Sequence, residues 1–131
     1  MGVVMLPARR VAYTASFGDP STSDAFVRLE QVVPLKGNRF YATFDPRTQE
    51  YRACVALRHG ETGKTYGLPE FTLDGGAYAS TALKGEFGDI VRQIAPTFAQ
   101  LRGEYMVDAQ RLSIEFYKRH TEVILYLPIK V

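Results

Sequence analysis

The residues best suited to chemistry gather in the last hairpin of the chain, RLSIEFYK followed by TEVILYLPIKV. At period two, Ser113, Glu115 and Tyr117 share one face of the first strand, while Leu112, Ile114 and Phe116 share the other and suit packing under helices. If Tyr117 pairs with Glu122 across the turn, Glu115 lies opposite Ile124 and Ser113 opposite Tyr126, which gathers a carboxylate, two phenols and an aliphatic wall. A carboxylate flanked by aromatic faces attracts a delocalised cation, with cation–π terms of roughly 0.5 to 2 kcal/mol each. The same carboxylate, partly desolvated, would have a raised pKa and serve as a general acid or base beside Tyr126 or Tyr117. The pattern alone reads equally well as a solvated glutamate on the outer face of an edge hairpin.

In the first half, the equivalent face carries Tyr41, Thr43 and Asp45, with Arg52 and Cys54 on the partner strand. Tyr41 is the next pocket candidate, against the alternative of an exposed strand tyrosine. Asp45 before Pro46 reads as turn chemistry. Tyr13 and Tyr78 sit at matching places on two strands, either lining a groove or, as the simpler reading, filling the core beneath helices. His59 and His120 have no spaced partners, so no metal site is expected. Cys54 is the only cysteine, which excludes an internal disulfide and favours inert packing. Gly60-x-x-Gly63 and Gly75-Gly76 lack phosphate-loop spacing and read as turns, so no cofactor is expected.

The elements that must position these residues follow from periodicity. ARRVAYTASF reads as a strand over 8–17, and Ser21 with Asp24 is a helix-start signal for DAFVRLEQVV over 24–33. RFYATFD and EYRACVALR form an antiparallel pair around Pro46-Arg47-Thr48-Gln49. HGETGKTYGLPE reads as an exposed connection between two halves. GAYASTAL is then a strand, and Phe87, Ile90, Val91, Ile94, Phe98 and Leu101 form a helical stripe. Pro96 should kink or break that helix, and Gly103 should stop it. The final hairpin turns at Arg119-His120.

The halves share this order, and a few residues match in register. Ala12-Tyr13 and Asp24 match Ala77-Tyr78 and Asp89 at a shift of 65; Phe44 through Arg47 with Glu50 match Phe116 through Arg119 with Glu122 at a shift of 72. The expectation is an α+β fold of duplicated β-α-β-β units with pseudo-twofold symmetry, antiparallel sheets and a central ligand groove. The single domain would span 1–131, with repeat one about 5–59 and repeat two about 75–131.

Composition narrows the function classes. The 131 residues are 46% hydrophobic and 23% charged, with net charge +2 spread along the chain, so a nucleic-acid partner is disfavoured. No apolar run approaches a membrane span, and the basic residues of MGVVMLPARR follow its apolar stretch, unlike a secretory signal. A cytoplasmic protein is the expectation.

Four stretches, LPARRVAYTASFGDP, FYATFDP, GAYASTALKGEFGDIVRQI and LSIEFYKRHTEVILYLPIKV, together resemble the GyrI-like small-molecule-binding domain, the effector-binding domain of bacterial multidrug-responsive regulators. The most specific pieces are Ile114-Glu115-Phe116-Tyr117 with the strand ending Leu127-Pro128-Ile129, and Gly76-Ala77-Tyr78 followed by Lys84-Gly85-Glu86-Phe87. The resemblance runs over nearly the whole chain. It implies a groove that takes planar or cationic organic compounds, with the glutamate of the penultimate strand, here Glu115, as the ligand-contacting group. Family members stand alone, are fused to helix-turn-helix segments, bind gyrase, or hydrolyse cyclopropane-bearing natural products. The chain lacks the Trp that many members carry near the end of the second helix, and Phe98 or Tyr105 would take its place. The expected function is a stand-alone binding domain for amphipathic, aromatic or cationic small molecules, with Glu115, Tyr117, Tyr126, Tyr41, Ser113 and Ile124 at the site. The alternatives are a hydrolase of strained or electrophilic xenobiotics using Glu115 and a tyrosine, and a protein-interaction module such as a gyrase modulator.

Overall fold

Strands form where β-branched and aromatic residues alternate with smaller or polar ones, and helices where apolar residues recur every three or four positions. The computed structural model describes residues 2–131, with the side chain of Ser21 outside the described residues. In chain order the elements are β1 (Gly2–Leu6), β2 (Arg9–Phe17), a 3-10 turn (Pro20–Thr22), α1 (Ala25–Glu30), β3 (Phe40–Asp45), β4 (Glu50–Ala56), α2 (Gly63–Tyr66), β5 (Glu70–Leu73), β6 (Gly76–Lys84), α3 (Phe87–Glu104), β7 (Ile114–Arg119) and β8 (Glu122–Pro128). The strands make one curled antiparallel sheet in the order β1-β6-β8-β7-β3-β4-β2-β5, an α+β architecture. At its centre β3 pairs with β7, setting Tyr41 opposite Phe116 and Ala42 opposite Glu115. From that junction the order runs outward β3-β4-β2-β5 on one side and β7-β8-β6-β1 on the other.

Several elements depart from the sequence expectation. β1 is an uninterrupted apolar stretch with no alternation to mark it, yet it pairs along β6 from Gly2 with Ser80 to Leu6 with Gly76. β5 starts at Glu70, the last residue of the stretch read as a connection, runs on through 71–73, to which no element was assigned, and pairs with β2. α1 stops at Glu30, and Val33 closes a final turn by donating its N–H to the Leu29 carbonyl at 3.0 Å. Val33 is buried and Val32 exposed. Asp24 occupies the N-cap position without a side-chain cap; its carboxylate pairs instead with Arg28 at 3.1 Å. α3 runs through both Pro96 and Gly103 to Glu104. Pro96 lies on the exposed side, where the carbonyl deprived of its donor can turn to water.

α1 and α3 lie on the same face of the sheet. Under α1, Ala12, Ala42, Ala53 and Val55 meet Ala25, Leu29 and Val33, and the Thr14 hydroxyl donates to the Ala25 carbonyl at 2.6 Å. Under α3, Ala79, Leu125 and Leu127 meet Ile90, Phe98 and Leu101. The opposite, helix-free face carries Val11, Tyr41, Cys54, Leu73, Tyr78 and Ile114, with Tyr13, Phe116 and Tyr126 packed against them. Ile114 and Phe116 therefore do not lie beneath the helices, and neither do Tyr13 and Tyr78. Period two separates a strand's two sets of side chains without saying which set a helix covers. The choice here falls on the alanine-rich side, where small residues let a helix approach closely. For the same reason Phe44 and Phe116, matched at a shift of 72, stand on opposite faces. Among the described residues no helix is long and apolar enough to cross a membrane.

Candidate functional site

Glu115 stands on β7, the inner strand of the last hairpin, and its side chain rises on the helix-covered face. Its cross-strand neighbours are Ala42 on β3 and Leu125 on β8. Ala42 is fully buried in the cluster beneath α1. Two residues on, Tyr117 donates its hydroxyl to Glu115 Oε1 at 2.6 Å. The Tyr117 ring is held on both sides by helix residues: Phe26 of α1 at 5.0 Å, edge to face, and Phe87 of α3 at 6.2 Å. Tyr51 of β4 joins from the same face; its phenol lies near enough to Tyr117 and Glu115 to be influenced by both, and its ring packs against Phe26.

Beside the carboxylate lies a cavity of about 720 Å³ between α3 and the β3–β4 turn, within the range of roughly 300 to 1,000 Å³ typical of small-molecule sites. Phe44, Ile94, Phe98, Val107, Leu112 and Leu127 supply apolar walls, and Glu115 and Ser113 supply polar groups. Arg47 and Arg102 also border the cavity. Arg47 is paired with Asp45 at 3.2 Å, and the Asp45 carboxylate also caps the turn by accepting the Arg47 backbone N–H at 2.9 Å.

Burial in these surroundings pushes the Glu115 carboxyl up to about 7, against the opposing effect of the Tyr117 hydrogen bond, which favours the ionised form. Burial also raises the Tyr117 and Tyr51 phenols, and the neighbouring Glu115 charge raises both further. At neutral pH the site thus holds a carboxyl poised between its two protonation states, with two phenols that stay protonated. Such a group can pair with a cation when ionised, and can give or take a proton near pH 7.

Of the six residues expected at the site, Glu115, Tyr117 and Ser113 come together on the helix face. Tyr41, Ile124 and Tyr126 do not. The last hairpin has an irregularity between Tyr117 and Arg119, so Glu115 faces Leu125 and Tyr117 faces Val123, where Ile124 and Glu122 were expected. A one-residue slip transfers a whole strand's side chains to the other face. Ile124 therefore lies opposite Phe116, and Tyr126 opposite Ile114, on the helix-free side. Tyr41 is buried there, stacked on Phe116 with centroids 4.8 Å apart. Phe98 borders the cavity, whereas Tyr105, which follows the end of α3, packs against the core beneath that helix. Tyr51, Phe26 and Phe44 join the site although none is among the residues expected there. The alternation of Tyr51 with Ala53 and Val55, and of Phe44 with Ala42, would have placed Tyr51 and Phe44 on the Glu115 face had the central pairing of β3 with β7 been recognised.

The other reactive residues stand apart from this cleft. Cys54 is fully buried on the helix-free face, and burial pushes its thiol upward. The His120 ring stacks on Phe87 at 5.0 Å. Among the described residues no three His, Cys, Asp or Glu side chains gather as a metal site.

No family model and no curated protein matches the sequence. Solved structures do match. An integron cassette protein from the mobile metagenome of Vibrio cholerae superposes with a TM-score of 0.72 at 11% identity, over 98% of this chain and 94% of that one. A protein solved with tetraphenylphosphonium bound gives a TM-score of 0.63 at 10% identity, over 98% and 92% of the two chains. A hydrolase from Listeria innocua gives 0.61 at 12% identity, over 98% and 90%. At these identities the likeness is one of fold.

Proposed function

We propose that this chain binds amphipathic, aromatic or cationic small molecules in the cleft beside α3, with Glu115 as the charged anchor. The observation that carries the reading is a partly buried carboxyl, raised to about 7, bordering a mostly apolar cavity of about 720 Å³. An apolar enclosure strengthens the attraction between that carboxylate and an organic cation, and it costs a greasy cation little to leave water. The structural neighbour solved with tetraphenylphosphonium supports this ligand class.

On this reading the chain is a GyrI-like domain assembled from two β-α-β-β units, about 5–59 and 75–131. The outward strand order β3-β4-β2 matched by β7-β8-β6 supports duplication. So does the placing of Tyr13 and Tyr78, 65 residues apart, on the same face. Tyr117 acts as a positioning residue that aims the carboxylate, and Phe98 stands in for the tryptophan of other members.

A second reading, hydrolysis of an electrophilic small molecule, is favoured by one specific arrangement: a carboxyl near 7 with a phenol donating to it at 2.6 Å. Thermal shift of the wild type and Glu115→Gln with tetraphenylphosphonium and with neutral triphenylphosphine oxide separates the cases. Binding by Glu115 predicts stabilisation of the wild type by the cation and its loss in Glu115→Gln, with any response to the neutral compound unchanged. Equal responses of both proteins to the cation would overturn the anchor assignment, and consumption of a bound compound would select the hydrolase.

A further inference from the structure

The helix-free face has a second, smaller recess, which adjoins the Glu115 cleft at Asp45, Arg47 and Leu112 but does not include Glu115. It measures about 230 Å³ and lies where the β3–β4 hairpin, β5 and the segment leading into β7 meet, bordered by Thr43, Arg52, Thr72, Asp74 and Ile114 among others. That is below the volume of sites for drug-sized ligands, so an occupant must be small.

The polar groups here are unevenly matched. Arg52 is fully engaged: its guanidinium lies between the rings of Tyr13 and Phe71, at 4.3 and 4.5 Å from their centroids, and pairs with Glu50 at 3.0 Å. Arg47 is held by Asp45 at 3.2 Å. Both cations bordering the recess are therefore neutralised by neighbours on their own hairpin. Asp74 is different. Its backbone carbonyl accepts the Tyr78 hydroxyl, which fixes the chain at that point, but among the described residues its carboxylate has no hydrogen-bond or ion-pair partner. Thr43 is 1% exposed, and its hydroxyl has no hydrogen-bond partner among the described residues. A buried hydroxyl left unpaired is costly, and native structures rarely keep one without use.

We infer that this recess is a binding site for a small hydroxylated cation of the amino-alcohol class, with its ammonium at Asp74 and a hydroxyl at Thr43. The single uncompensated charge selects a cation, the orphaned hydroxyl selects a hydrogen-bonding partner, and the small volume excludes the bulky aromatic compounds proposed for the other face. The inference stands on residues separate from Glu115 and survives or fails independently of that site.

The test is an amide-resolved NMR titration of the intact protein with 2-amino-1,3-propanediol, with glycerol as the uncharged control of similar size. The expected result is saturable shifts at Thr43, Thr72 and Asp74 with the amino-diol, and weaker binding of glycerol. Thr43→Val should weaken the amino-diol by about threefold to tenfold, the worth of one hydrogen bond. Asp74→Asn, a substitution at an exposed side chain that leaves folding intact, should abolish the preference for the amino-diol over glycerol. Absence of saturable shifts at these amides in the wild type, or titrations unchanged in both variants, would overturn the assignment.

Discussion

The two faces of the sheet hold similar residues and do different things with them. On the helix-free face, tyrosines pack against one another and against arginine: Tyr41 stacks on Phe116, Tyr78 meets Tyr126 edge to face at 6.2 Å, and Arg111 lies 4.8 Å from the Tyr78 ring centroid. Aromatic surface is consumed there by other aromatic surface, and Tyr78 has no exposure at all. On the helix face, a row of alanines brings α1 down onto the sheet, while α3 rests on Ala79 and on the larger Leu125 and Leu127 on the other side of the central strands. Between α3 and the β3–β4 turn there is open volume beside one carboxyl. An abundance of tyrosine is therefore no guide to a pocket. What makes the pocket is a helix standing off the β3–β4 turn next to a titratable group that the core cannot absorb.

Substitutions that respect or violate this contrast should separate in size. The largest effect is expected on the filled face: Tyr78→Ala should cost about 3 to 5 kcal/mol in urea denaturation, as for other large buried rings. A loss below 1 kcal/mol would mean that this face is not the packed core described here. Next comes the pH dependence of the open face. Glu115 has a folded pKa of about 7 against an ordinary 4.5, so the folded state holds the proton more tightly. The stabilisation is fully present below pH 4.5 and is lost as pH rises through 7, a decline of about 3 kcal/mol in total that Glu115→Gln should remove from the stability profile. A smaller effect is expected for Tyr117→Phe, which deletes the donor to Oε1. It should raise the Glu115 pKa further, and at pH 8 it should destabilise by about 1.5 to 3 kcal/mol, the range for a hydrogen bond to a charged group. Side-chain NMR titration reads the pKa directly. Smallest is Thr43→Val, which should raise stability by about 1 kcal/mol in the free protein by removing an unpaired buried hydroxyl.

Much of this was legible in the sequence because period two and the helical stripe are strong signals. The β3–β4 hairpin, α3 and the sharing of one face by Ser113, Glu115 and Tyr117 all follow from spacing alone. The register of the last hairpin does not. The irregularity between Tyr117 and Arg119 carries no glycine to announce it, and it moves Ile124 and Tyr126 away from Glu115. β1 and β5, five and four residues long, were hidden for different reasons: β1 has no alternation, and β5 alternates Glu70, Phe71, Thr72 and Leu73 over too few residues to stand out. The contribution of Tyr51 depends on the β3–β7 junction, a contact between residues more than seventy positions apart that no local pattern encodes.

On the proposed reading, the helix-face carboxyl captures an organic cation and must be ionised to do so. Calorimetric titration with tetraphenylphosphonium at pH 6 and pH 8 tests it most directly. The expected result is binding roughly tenfold tighter at pH 8, where a group with a pKa of about 7 is mostly ionised, and no such difference in Glu115→Gln. Affinity that is equal at the two pH values in the wild type, or a pH dependence retained in Glu115→Gln, would contradict it.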